Sequence, residues 1–110
     1  MRSNPNSVDT VNSAKIINLK SKITNPTFEE QNLFGSWATD LSRAYPEFEI
    51  TEKSFYIKGN RVMRYEVNEN KIKVFYPNFD KTGLIKKAIN DSLIIYWASG
   101  EYKTYLRWNQ

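Results

Sequence analysis

Arg61-Val62-Met63-Arg64-Tyr65-Glu66-Val67-Asn68-Glu69-Asn70-Lys71-Ile72-Lys73-Val74-Phe75-Tyr76-Pro77 is the stretch on which the fold turns. Met63, Tyr65 and Val67 alternate with Arg64 and Glu66. That period of two marks a strand with one face against a core, Val62 being the exception. Ile72, Val74 and Tyr76 alternate with Lys71 and Lys73 in the same way. Asn68-Glu69-Asn70 lies between the two runs and reads as a hairpin connection, because asparagine tolerates positive φ. Pro77 ends the second strand, since it has no N–H to give a ladder.

The pattern continues in both directions. Upstream, Leu33–Thr39, Glu47–Thr51 and Ser54–Lys58 read as short strands, interrupted at Tyr45-Pro46 and ending at Gly59-Asn60. Downstream, Asn78–Gly83 reads as a loop, Leu84–Ile89 and Ser92–Ala98 flank Asn90-Asp91, and Ser99-Gly100 leads into Glu101–Trp108. Leu93-Ile94-Ile95-Tyr96-Trp97 is apolar on both faces, which predicts a strand covered on its outer side as well. Ahead of all these, Pro26 has its φ preset for an early helical position and Thr27 with Glu30 has capping-box spacing. Turn signals follow so closely that only a single helical turn fits.

Short connections favour antiparallel neighbours, and closing such a meander removes both sheet edges. The expected fold is therefore all-β: a small eight-stranded antiparallel up-and-down barrel with a short helical turn before its first strand. Residues 26–110 form one domain. Residues 1–25, rich in Asn and Ser and free of aromatics, form a flexible N-terminal arm in which Ala14–Lys20 is a candidate edge strand.

Composition narrows the chemistry. The 110 residues include no histidine and no cysteine, so disulfides, Cys-containing zinc sites and His-based nucleophilic machinery are excluded for this chain alone. A hydrophobic content of 40% with 15% aromatics is too apolar for a wholly disordered chain. The mean hydropathy of −0.64 argues against a membrane protein. The net charge is +4, but Arg2, Lys15, Lys20 and Lys22 face only Asp9 within residues 1–25, so the folded part is nearly neutral. No secretory leader is visible in the chain, and a mature secreted or periplasmic form would read the same way.

A short helical turn leading into Gly35-Ser36-Trp37 resembles the start of lipocalins and related calycin barrels. Their first strand carries Gly-x-Trp, and an Arg or Lys near the last strand lies across the indole. Arg107, in Thr104-Tyr105-Leu106-Arg107-Trp108, stands in about that place. The resemblance spans Pro26–Trp108 in strand order. It implies a structural group of Gly35, Trp37 and Arg107 and a non-catalytic binding protein that holds a small apolar or amphipathic ligand. The chain is much shorter than a full lipocalin, so loops and lumen must be smaller. Arg107 also has the opposite parity to Leu106 and Trp108 and faces outward if those face inward.

The residues placed inside are Trp37, Phe55, Ile57, Met63, Tyr65, Val67, Ile72, Val74, Tyr76, Ile85, Ile89, Leu93, Ile95, Trp97, Tyr102 and Leu106. Met63, Tyr65, Tyr76 and Trp97 would line a ligand pocket, having apolar bodies and polar or polarisable atoms. So many large groups on short strands also favour a filled interior, which leaves the outside for recognition. Tyr45, Phe48, Phe75 and Phe79 flank the two proline-containing loops and are the candidate anchors for a protein partner, as in an inhibitor or immunity-type protein. A lesser alternative is an OB-like single-stranded nucleic-acid binder, from Tyr56, Lys58, Arg61, Arg64, Lys71, Lys73 and Phe75. Glu47, Glu49, Glu52, Glu66 and Glu69 on the same strands oppose it. The carboxylates assemble no catalytic or metal constellation, so neither an enzyme nor a cofactor is expected. The sequence does not indicate an oligomeric state.

Overall fold

A computed structural model describes residues 20–59 and 62–109. The strands are β1 (Lys22–Thr24), β2 (Gly35–Ala38), β3 (Phe48–Ile50), β4 (Phe55–Tyr56), β5 (Val62–Met63), β6 (Tyr65–Asn68), β7 (Lys71–Phe75), β8 (Asp80–Ile89), β9 (Ser92–Trp97) and β10 (Tyr102–Arg107). They form one ten-stranded sheet, ordered β1-β6-β7-β8-β9-β10-β2-β3-β4-β5 and curled into a half-barrel. Every pairing is antiparallel except that of β1 with β6. Chain neighbours are sheet neighbours from β6 to β10 and from β2 to β5, and β10 lies on β2 through Leu106↔Ala38 and Arg107↔Trp37.

The alternation of Arg61–Tyr76 dictates the centre of the sheet. Tyr65 pairs with Val74 and Val67 with Ile72, and all four are buried on the concave face. The connecting turn is Glu69-Asn70, and its positive φ (58°) falls on Glu69 rather than on an asparagine. Leu33, Trp37, Phe55, Leu93, Ile95 and Trp97 complete the centre of the core, with Phe28 and Phe34 packed against it.

Several expectations are corrected. The ladder contains ten strands where eight are expected, because β1 adds one and the break at Arg64 divides one expected strand into β5 and β6. Asn78–Gly83 is not all loop: β8 begins at Asp80, and Lys81, Thr82 and Gly83 pair with Val74, Lys73 and Ile72. Ile89 is exposed, because a register shift between Ile85 and Lys87 puts Ala88 in the core in its place. Tyr102 and Leu106 are exposed, whereas Tyr105 is buried and Arg107 is on the same side of the strand. The parity of β10 is thus opposite to the expected one. Tyr96 is also exposed, so the outer side of β9 is not covered as predicted. The helical turn is a 3₁₀ turn at Glu30–Asn32 whose N-cap, Glu29, makes no side-chain capping bond, so the Thr27–Glu30 capping box does not form.

Part of the expected arm belongs to the sheet. β1 runs beside β6, and Ile23 packs against the core. Just before it, the buried Ser21 donates its N–H to Glu52 O (3.0 Å) and its hydroxyl to Lys53 O (2.8 Å). Its Oγ accepts the Tyr65 N–H (3.2 Å). One serine thus ties the β3–β4 turn to the start of β6. The Ala14–Lys20 candidate strand lies outside the described residues apart from Lys20.

Two stability measurements follow from this packing. Trp37→Ala should cost about 3–5 kcal/mol in urea unfolding, the usual range for emptying a buried aromatic site. Ser21→Ala should cost about 1–3 kcal/mol, because it strands a buried amide. A near-neutral Ser21→Ala would mean that β1 is not fastened by that hydroxyl.

Candidate functional site

The concave face is closed at one end by a cation on an indole. The Arg107 guanidinium carbon lies 4.3 Å from the Trp37 ring centroid. Its Nη1 donates to Phe34 O (2.6 Å), its Nη2 to Asn32 O (3.4 Å), and its Nε to Asn90 O. The indole Nε1 donates to Leu33 O (3.0 Å). Gly35 has φ of +129°, and a Cβ built there would collide with the guanidinium, so no other residue fits without displacing it. The group is structural: its polar atoms are all spent on backbone carbonyls.

The interior is filled by the residues nominated for a ligand. Met63, Tyr65 and Trp97 are buried in the core. Tyr65 donates its hydroxyl to Thr51 O (2.7 Å), and burial raises the pKa of that phenol well above the ordinary tyrosine value. Trp97 donates its Nε1 to the Tyr105 hydroxyl (2.7 Å) and carries the Lys81 ammonium 4.5 Å from its ring centroid. Burial lowers the pKa of Lys81. Tyr76 is half-buried and stacked on Phe79, with ring centroids 4.8 Å apart.

Of the four partner candidates, Phe48 is misassigned as exposed. It is 5% exposed and packs 4.7 Å from both Phe55 and Tyr105, centroid to centroid. Glu47–Thr51 reads as a strand, and only its place beside the Tyr45-Pro46 loop points Phe48 outward; it opens β3 and is buried with Ile50. Phe79 is exposed, Phe75 is half-buried, and the exposed Tyr45 has Lys58 Nζ 4.5 Å from its ring centroid. Of the residues in the nucleic-acid reading, Lys71, Lys73 and Phe75 lie on β7, the Phe75 N–H reaches Arg64 O (3.0 Å), and Tyr56 lies on β4, which pairs with β5 and not with β7. Arg61 lies outside the described residues.

The largest of the cavities described, about 500 Å³, opens on the convex face of β6–β9. Glu66, Asn68, Lys71 and Lys73 form one wall, Thr82 and Leu84 the floor, and Tyr96 with Ala98 the other wall. Cross-strand register accounts for this grouping, since Glu66 pairs with Lys73, Lys73 with Thr82, Lys71 with Leu84, and Leu84 with Tyr96. Beyond Tyr96 its cross-strand partner Tyr102 extends the aromatic wall, with centroids 6.0 Å apart. Lys71 and Lys73 were legible as outward residues. Tyr96 and Tyr102 were missed, although an apolar residue on the outer side of a strand was the available signal.

No protein family, curated protein or solved structure matches the chain. Among the described residues there is no cluster of three metal-ligating acidic side chains, and no helix is long and apolar enough to cross a membrane.

Burial makes alkaline pH a probe of this core. A tyrosine ionises near 10 in the unfolded chain, and burial pushes Tyr105 up to about 12. The folded state then keeps a proton that the unfolded state loses, so this stabilisation is complete below pH ~10 and is lost as pH rises toward ~12. The urea midpoint should fall across that window, and Tyr105→Phe should make the fall shallower. An unchanged slope in Tyr105→Phe would remove Tyr105 as a source.

Proposed function

We propose that the protein is a non-catalytic binding module that recognises a protein partner on the outside of a filled, lipocalin-like barrel. The barrel reading treats β5 and β6 as one strand bent at Arg64, where the Phe75 N–H reaches Arg64 O (3.0 Å). Strands β2, β3, β4, β5 with β6, β7, β8, β9 and β10 then make an eight-membered meander, and the β10–β2 pairing closes it. The stacking of Arg107 on Trp37 beside Gly35 supports the lipocalin-like reading.

One observation carries the functional choice: Trp37, Trp97, Tyr65 and Phe55 fill the inside, while a cavity of ligand-binding size lies outside. Pockets that enclose a small molecule usually measure ~300–1,000 Å³ and bury most of it. Here a volume in that range is an open trough walled by lysines and a tyrosine, which suits part of a larger partner. Exposed tyrosines are effective interface anchors, because they bury a large area at little cost in rotamer freedom.

Photo-cross-linking tests this reading. With p-benzoylphenylalanine replacing Tyr96, irradiation in extracts of the native host should attach one discrete polypeptide. Replacing Val62, exposed on β5, should attach none. A small molecule retained in native mass spectrometry, with no polypeptide adduct at position 96, would overturn the proposal in favour of an internal ligand.

A further inference from the structure

The two ladder rows that cross the trough define what it can hold. One row runs Lys22, Glu66, Lys73, Thr82, and the next runs Thr24, Asn68, Lys71, Leu84, Tyr96, Tyr102. In these two rows three ammonium groups share the face with one carboxylate, Glu66, which lies directly between two of them, and Asp80, opposite Phe75, lies two residues before Thr82 on the same face. Nevertheless, Lys20–Glu52 (3.5 Å) is the only ion pair among the described residues. Among the described residues, Lys22, Lys71 and Lys73 have no carboxylate within ion-pair distance. Lys71 and Lys73 stand on one wall of the trough, Tyr96 (45% exposed) stands on the other, and Tyr102 (61% exposed) lies beside Tyr96 beyond it.

Resting on the outer-face reading above, we infer that the trough between Lys71/Lys73 and Tyr96 takes an acidic polypeptide segment with an aromatic side chain among its carboxylates. The ring lies over Leu84 against Tyr96, and an offset or edge-on arrangement is available beside the tilted Tyr96–Tyr102 pair. The carboxylates meet the ammonium groups of β7 at the polar wall. The exposed Asn68 amide is placed to bond the backbone of an extended segment. Glu66 discriminates against nucleic acid. A phosphate backbone carries charge at every nucleotide and must pass this carboxylate, whereas a polypeptide places its charges at chosen positions.

Titration of the full-length ¹⁵N-labelled protein with a capped DEFDE pentapeptide supplies the test. Saturable shifts should be confined to amides of β6–β9. Binding should weaken about tenfold in Lys71→Gln/Lys73→Gln and in Tyr96→Ala, both of which should keep the wild-type spectrum elsewhere. Capped SSFSS and DEADE should bind about tenfold more weakly than DEFDE, and high salt should weaken DEFDE itself. Equal binding of SSFSS, tighter binding of an oligothymidylate at the same amides, or DEFDE shifts centred on Tyr45 or Phe79 would overturn the inference. So would the absence of saturable shifts. If position 96 still cross-links a polypeptide, such a failure removes only the assigned chemistry; if it does not, the outer-face reading fails with it.

Discussion

The guanidinium of Arg107 is the contact that the rest of the structure depends on. It stacks on Trp37 and donates to carbonyls of Asn32, Phe34 and Asn90, which ties β10, the turn before β2 and the β8–β9 turn to one planar group. Cation–π contact contributes roughly 0.5–2 kcal/mol, according to its degree of desolvation. The larger consequence is geometric. A planar group with five donors fixes directions as well as distances, which an ammonium in its place would not do. Gly35 is the accompanying requirement, since a side chain there would occupy the guanidinium's place.

A second fastening acts on the opposite side of the sheet. β4 and β5 are only two residues long, so they leave β6 with no partner from the β3–β4 hairpin. β1 takes that place as a parallel strand, and Ser21 bridges to the hairpin turn. A buried hydroxyl suits the position because it accepts one backbone bond while donating another. A sheet that depends on two such fastenings needs few long strands, which agrees with β8 alone, among the ten strands of the described residues, being longer than six residues.

The hairpin at the centre was legible because its two runs alternate, Val62 excepted, and Trp37 was legible because so large an apolar ring on a short strand calls for burial. What was not legible has specific physical causes. A register shift in β8 exchanged Ile89 for Ala88, and no local signal in Ile85-Lys86-Lys87-Ala88-Ile89 says which residue is passed over. In β10, Tyr102, Tyr105 and Leu106 are all apolar enough to face inward. The choice fell to Arg107, whose preference for the indole sets the parity of the strand and turns Leu106 outward. Phe48 lies in the expected strand Glu47–Thr51, where Glu47 and Glu49 hold one face and leave Phe48 and Ile50 the other, and the outward reading set its place beside the Tyr45-Pro46 loop above that alternation. Ser21 was unreadable because its role depends on Glu52, Lys53 and Tyr65, which are remote in sequence.

The same reasoning explains why the outer face of β9 carries information about function. Trp97 fits the concave side only because its cross-strand partner is Gly83: a Cβ there would stand 2.8 Å from the indole and 2.9 Å from Ile95. The sheet is therefore a single backbone layer between a tightly packed core and the trough. Ordinary sheet surfaces place charged or small polar residues on the solvent side and discourage further pairing. Tyr96 and Tyr102 instead expose large rings to water as cross-strand partners, though folding alone does not require them on that face. Two adjacent rings beside lysines that hold no carboxylate among the described residues make up the surface on which the proposed recognition of a second polypeptide rests.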